Sequence, residues 1–323
     1  MSRALQGLAC IGAVVLLAGA VDAGADEATL VRSFRAAGGD GVFVSSDDGR
    51  LVAVNAGSAV KIWNGQTGEE LATLAHDRGA SARVSRDGGR LVTSDFNMVK
   101  VWDPKTFKLV RSWPAKRSWA SSVALGPGSL LATGAMDAKV RLWDLLRGTP
   151  GRVLAGPQKP VLAVGISGDG RSVAATLARD TNLIIWNART GVVRAKVDVG
   201  TISRFVLFTP AGQLVVADAV DAAALRDGMT GRKLRGFAGR GDKDMNGAAL
   251  SADGNTLVTG DAGGMVRLWN VRDGSALASF DTAEGDVLEV ALLDDARTVV
   301  TGHPEGLVKV WQLARPVGGP PGR

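Results

Sequence analysis

The chain has 323 residues, 38 Lys and Arg against 32 Asp and Glu, a formal charge of +6, and one cysteine, Cys10. One cysteine and two histidines, His76 and His303, exclude a disulfide framework and a thiolate metal cluster. No Gly-x-x-x-x-Gly-Lys-Ser/Thr or Gly-x-Ser-x-Gly run occurs, which excludes phosphate-loop and nucleophile-elbow chemistry.

In chain order, residues 1–25 read as an export signal. Arg3 supplies the positive start, Leu8 to Ala20 is an uncharged apolar run, and Val21-Asp-Ala23 and Ala23-Gly-Ala25 offer small-residue cleavage sites before Asp26-Glu27. The strongly apolar part is short for a bilayer span, so cleavage is expected, with a retained anchor as the alternative. The mature chain then has no transmembrane span and no cysteine, hence no thiolate nucleophile or sulfur ligand. An exported, cysteine-free, Ala/Gly-rich chain suits a bacterial periplasm or secretion. Removing residues 1–25 takes away Arg3 and Asp22 and leaves the charge at +6. A basic balance can signal nucleic acid, but export argues against it. Lys61, Lys100, Arg141, Arg267 and Lys309 are moreover dispersed at alternating strand positions and read as solvated faces.

From residue 26 to 313 the chain repeats itself. Val60-Lys-Ile-Trp63, Val99-Lys-Val-Trp102, Val140-Arg-Leu-Trp143, Leu183-Ile-Ile-Trp186, Val266-Arg-Leu-Trp269 and Val308-Lys-Val-Trp311 are one strand written six times. Ala223-Ala-Leu-Arg226 is a seventh copy with Arg in place of Trp, and successive copies lie 39 to 43 residues apart. A period near 40 signals a propeller of four-stranded blades, so the fold class is all-β, seven-bladed. Asp-Gly at 48–49, 87–88, 169–170 and 253–254 marks one hairpin of the unit, and Thr-Gly at 67–68, 190–191 and 230–231 the next. After Trp311 the chain soon becomes the Pro/Gly-rich tail 314–323, which makes no strand. The seventh unit therefore lacks its fourth strand, and Thr29-Leu-Val-Arg-Ser-Phe34 matches the missing piece. The N-terminus is expected to close the last blade. Blade five, with Arg226 and the run Ala217-Asp-Ala-Val-Asp-Ala-Ala-Ala224, is expected to be the weakest.

Leu131-Ala-Thr-Gly-Ala-Met-Asp-Ala-Lys-Val-Arg-Leu-Trp-Asp144 resembles the WD40 repeat, and the likeness runs in register over about residues 28 to 313. The resemblance implies a rigid ring with a narrow channel that holds partners and rarely catalyses. Family members often tie a blade with Trp, Ser or Thr, a Gly-His histidine and an Asp in the second hairpin. Here Thr133, Thr259 and Thr301 fit the hydroxyl position, and Asp137 and Asp180, six residues before Trp, fit the acid, with Glu305 as a stand-in. His76 is the one matching histidine, and its blade carries Phe96 where the acid is expected. No unit holds all four, so apolar packing is expected to hold the blades. Another exported propeller class, the quinone-cofactor dehydrogenases and their assembly relatives, also repeats Thr-Gly. There the Trp follows that turn, whereas here it precedes it in six units, and Trp113 reads as core.

The two histidines lie in different units without a shared metal spacing, and His303-Pro-Glu305 reads as a solvated hairpin. Asp47-Asp48, Asp242-Lys-Asp244 and Asp294-Asp295 lack the alternating oxygen pattern of a calcium loop. No catalytic residue, metal or cofactor is therefore expected. Trp119, with Lys116 and Arg117 before it, precedes the first strand of blade three, where an exposed aromatic beside cations has hot-spot chemistry. Arg78, Asp244 and Asp286 occupy equivalent positions and complete a candidate partner-binding edge, and the loop 236–246 is a second candidate. The expected function is a non-catalytic, monomeric scaffold that binds another protein or peptide on one face of the ring, in the periplasm or outside the cell. The alternative is a secreted enzyme or cofactor binder, quinoprotein-like or hydrolase, with the channel as its pocket.

Overall fold

Alternating apolar residues write the strands, and turn residues cut them into hairpins. The computed structural model describes residues 27–35, 43–45, 51–76, 81–85, 89–95, 97–114, 120–238, 243–293 and 297–315. The expected signal, residues 1–25, and the tail from 316 lie outside the described residues. The described chain forms seven four-stranded antiparallel sheets and no α-helix. Blade three shows the unit, with strands Ala120–Leu125, Leu130–Ala135, Val140–Asp144 and Thr149–Leu154 running in order from the innermost position outward.

The two residues of each Trp-Asp or Trp-Asn step do different work. The Trp turns into the core, while the acid or amide makes the next turn. In blade one Asn64 Oδ1 accepts the backbone N–H groups of Gln66 and Thr67, both at 2.9 Å. Asp103, Asp144, Asn187 and Asp227 repeat that pattern. The side chain mimics a backbone turn, which is what Asx residues do well.

The ring closes as expected. Ala28–Arg35 pairs antiparallel with Leu307–Leu313, in register from Ala28 opposite Leu313 to Arg35 opposite Leu307. The last sheet is therefore built from both ends of the described chain, and no open edge is left between blades seven and one. The closing strand also binds forward. Phe34 stacks on Trp63 of blade one at 5.0 Å, and Arg32 Nη1 donates to the Gln66 carbonyl of the same blade.

This forward contact recurs. Trp113, Phe237 and Phe280, all in outermost strands, pack against the Trp of the following blade, namely Trp143, Trp269 and Trp311, at 5.9, 6.2 and 5.0 Å. Arg111 Nη1 donates to Arg147 O at 3.0 Å, and Arg235 to the Arg272 carbonyl, each in the following blade. Gly191 has φ +76°, and a Cβ there would stand 2.5 Å from Arg152 Cδ of the preceding blade. Its Thr-Gly turn thus serves both the hairpin and the seam.

The cations expected on solvated faces instead lie against the core. Arg141 and Lys309 are buried. Arg141 pairs with Asp137 at 2.5 Å, Arg267 with Asp261 at 2.6 Å, and Lys309 with Glu284 at 2.8 Å. Lys61, Lys100 and Lys309 stand 6.0, 5.9 and 5.4 Å from the ring centroids of Trp63, Trp102 and Trp311. A cation two residues before Trp shares its side of the strand, so alternation carries it inward and the ring face accepts it.

Blade five replaces the aromatic by an ion cluster. Arg226 is buried where Trp stands elsewhere. Its Nη2 meets Asp218 Oδ2 at 2.8 Å and its Nη1 donates to Gly231 O at 3.1 Å. Lys233 Nζ lies 2.8 Å from both Asp218 and Asp221. Burial pushes the Asp218 carboxyl up, but the Lys233 hydrogen bond and backbone N–H donors more than offset that and hold it below the usual range.

Candidate functional site

The rim where outermost strands lead into the next innermost strand is the edge singled out from sequence. Arg78, Lys116, Arg117 and Trp119 lie outside the described residues, as do Asp242 and part of the 236–246 loop. Asp244 and Asp286 are exposed on this rim, in adjacent blades. Their backbone carbonyls are engaged: that of Asp244 accepts Ala262 N–H at 2.9 Å and that of Asp286 accepts His303 Nδ1–H at 3.1 Å.

Beneath this rim lie polar ties that differ from the expected ones. In blade two Trp102 Nε1 donates to Thr93 Oγ1 at 2.7 Å, and Thr93 meets His76 Nε2 at 2.5 Å. His76 Nδ1 then meets Asp95 Oδ2 at 2.9 Å. All four side chains of the tie are present, which corrects the expectation that no blade holds them. The acid is Asp95, beside Phe96 and seven residues before Trp102, just past the end of the second strand Leu91–Ser94. Asp137 and Asp180, the acids expected six residues before Trp, do other work. Asp137 binds Arg141, and Asp180 accepts Asn182 N–H at 2.9 Å. Glu305 is exposed and pairs with Arg35 at 2.6 Å.

His303 requires a second correction, because it is buried rather than solvated. It occupies the place in blade seven that Asp95 occupies in blade two, two residues after the threonine. A carbonyl can only accept, so His303 Nδ1 carries the proton toward Asp286 O and its Nε2 accepts from Thr301, 2.8 Å away. Thr301 in turn accepts Trp311 Nε1–H at 2.9 Å. Burial pushes the imidazole pKa down to about 4, so the ring stays neutral, as this chain of bonds requires. Thr133 and Thr259 accept Trp143 and Trp269 at 2.9 and 3.0 Å, as expected. Trp63 Nε1 is buried without a partner, because Val54 stands in its blade where blades two, three, six and seven have threonine.

The channel is a second concave feature. Innermost strands of several blades enclose a cavity of about 280 Å³. Much of its wall is small or apolar, but Arg83, Arg204 and Glu289 also line it, from blades two, five and seven. Arg83 Nε donates to Val123 O at 3.1 Å, tying it to the wall of blade three. Glu289 retains some exposure to the channel but is walled in by protein. Burial pushes its carboxyl up to about 7, opposed by the charge of Arg83. Sequence reading missed these three residues. The available signal was a charge inside an innermost strand, as in Ser81-Ala-Arg-Val84 and Glu289-Val-Ala-Leu292. Among the described residues no group of three or more His, Cys, Asp or Glu is placed to hold a metal, and no helix is long and apolar enough to cross a membrane.

Comparison with known proteins agrees with this architecture. Residues 107–144 and 231–270 match the family model "WD domain, G-beta repeat". Each match spans the outermost strand of one blade and three strands of the next, the offset that ring closure requires. The chain is 28% identical over 162 residues to the small ribosomal subunit protein RACK1y of Oryza sativa subsp. japonica, covering 47% of this chain and 48% of that protein. It is 28% identical over 123 residues to autophagy-related protein 16 of Arabidopsis thaliana, 36% of this chain and 24% of that protein. The retinoblastoma-binding protein 5 homolog of Drosophila melanogaster is 27% identical over 156 residues, 47% and 31% of the two chains. The chain thus spans about half or less of the length of these relatives. It carries WD40 repeats, arranged as a seven-bladed propeller.

Proposed function

We propose that this chain is a non-catalytic scaffold whose ring rim, from Trp119 round to Asp244 and Asp286, grips another protein or a peptide. The observation that carries the reading is how the rim is supported. The Trp311–Thr301–His303–Asp286 chain of hydrogen bonds fastens a rim loop to the blade beneath it, and the His76–Asp95 pair does the same in blade two. A binding edge set on rigid elements keeps its shape before a partner arrives, which lowers the ordering cost of association. Both histidines are thereby engaged in holding strands, which supports gripping over proton transfer. The names of two relatives, a ribosomal subunit protein and a retinoblastoma-binding homolog, describe proteins that work in association with others. The export pattern of residues 1–25 supports a periplasmic or secreted protein. Affinity capture from the native envelope, with wild type beside a Lys116→Ala, Trp119→Ala double variant, tests the reading. A reproducible partner lost in the double variant is expected, and equal recovery by both would overturn the assignment of this rim. N-terminal sequencing of fractionated cells tests export: Asp26 or Gly24 is the expected first residue, and cytoplasmic full-length protein would refute it.

A further inference from the structure

The channel asks for something the rim does not. The innermost strands present mainly small or aliphatic residues to it, among them Ala124, Gly165, Ala249 and Ala291. Arg83, Arg204 and Glu289 are the ionisable side chains among the described lining residues, and they come from three separate sectors of the ring. Each arginine brings one guanidinium cation to the lining. One carboxyl offsets at most one of those charges, and a carboxyl pushed up to about 7 offsets less than one near neutrality. The lining is therefore left between one and two positive charges in excess, inside walls that focus the field.

We propose that the channel binds a small organic carboxylate, its oxygens held by Arg83 and Arg204 beside Glu289. The guanidinium fork matches two carboxylate oxygens. A cavity of about 280 Å³ lies at the small end of ligand sites, room for a short carbon body as well as a head group. Val84, Leu125, Ile166 and Phe205 supply apolar wall for that body. A monoanion also suits Glu289, whose protonated form donates a hydrogen bond to the ligand, whereas a doubly charged phosphate would set its second charge against it.

The same geometry predicts pH dependence. Arg83 is the charge that acts on Glu289. The neighbouring innermost strand Met245–Leu250 and the hairpin partner Thr298–Gly302 carry no charged residue. The sequence of Phe43–Ser45, on the other side, carries none. Arg204 lines the same cavity, and Asp286 is exposed on the rim outside it. Binding should weaken as Glu289 ionises.

Isothermal titration of the purified protein with butyrate, butyramide and inorganic phosphate, at pH 6 and pH 8, tests the site. Butyrate is expected to saturate one site, more tightly at pH 6, with butyramide silent and phosphate weaker. Arg83→Met should weaken butyrate at least about tenfold, a loss of about 1.4 kcal/mol. Glu289→Gln should keep binding and lose its pH dependence. If Arg83→Met fails to fold, because Arg83 also holds Val123, the exposed Arg204→Met is the variant to read. Absence of saturable butyrate binding, an unchanged affinity in the folded arginine variant, or tighter phosphate binding would overturn the proposal. None of these results bears on a partner at the rim.

Discussion

Thr93→Val in blade two removes one oxygen and almost no volume. That oxygen accepts the Trp102 indole N–H at 2.7 Å and meets His76 Nε2 at 2.5 Å, and Thr93 itself is fully buried. The valine strands two polar groups. Each buried orphan costs about 1–3 kcal/mol, so the variant should lose about 2–6 kcal/mol. Thr133→Val in blade three is the internal control, because Thr133 serves Trp143 and no histidine stands on it. It should lose about 1–3 kcal/mol. Equilibrium urea unfolding, followed by tryptophan fluorescence, reads the difference as a midpoint shift at unchanged slope. At a slope of about 3 kcal/mol/M, a 3 kcal/mol loss moves the midpoint by about 1 M. Equal losses in the two variants would show that His76 does not depend on Thr93 and would refute the four-residue tie.

Val54→Thr supplies Trp63 Nε1 with the acceptor it lacks and should stabilise blade one by about 1 kcal/mol, checked by the same titration; a loss would show that the indole tolerates isolation. His303 sets an acid-side limit. Its folded pKa of about 4 lies below its ordinary value, so its contribution is complete above about pH 6.5 and is lost as pH falls toward 4, on the order of 3 kcal/mol in all. Glu289 works in the opposite sense: its folded pKa of about 7 gives stability that is present below about pH 4.5 and lost as pH rises through 7. Melting curves from pH 5.5 to 8 in a Glu289→Gln background read the upper part of the His303 slope above the carboxylate range, and a flat profile there would contradict the buried neutral imidazole. Deleting residues 27–35 takes the partner strand from Leu307–Leu313 and the Phe34 stack from Trp63, so aggregation or loss of the cooperative transition is expected; a stable monomer would refute closure.

Much of the fold was legible because a strand ending in Trp recurs at a fixed step and the two chain ends complement each other. The polar ties were less legible. Asp95 was hidden by counting six residues before Trp, when the acid lies just past the end of the second strand, one position before Phe96. His303 was read as part of a turn because Pro304 and Glu305 follow it, and only Thr301 two residues earlier hinted that it faces inward. The inward cations Arg141 and Lys309 obey the strand alternation, which outweighs the ordinary preference of charge for solvent because Asp137, Glu284 and the Trp311 ring receive them. The channel residues Arg83, Arg204 and Glu289 come together from a stretch of 206 residues of sequence, a convergence that only the closed ring produces.

Hydrogen–deuterium exchange of the protein with and without its captured partner tests the central claim most directly. The account predicts slowed exchange confined to the rim, in 115–119, 243–246 and 282–288, with the outermost strands unchanged. Protection centred on an outermost strand such as Leu109–Pro114, or no protection on the ring at all, would contradict it.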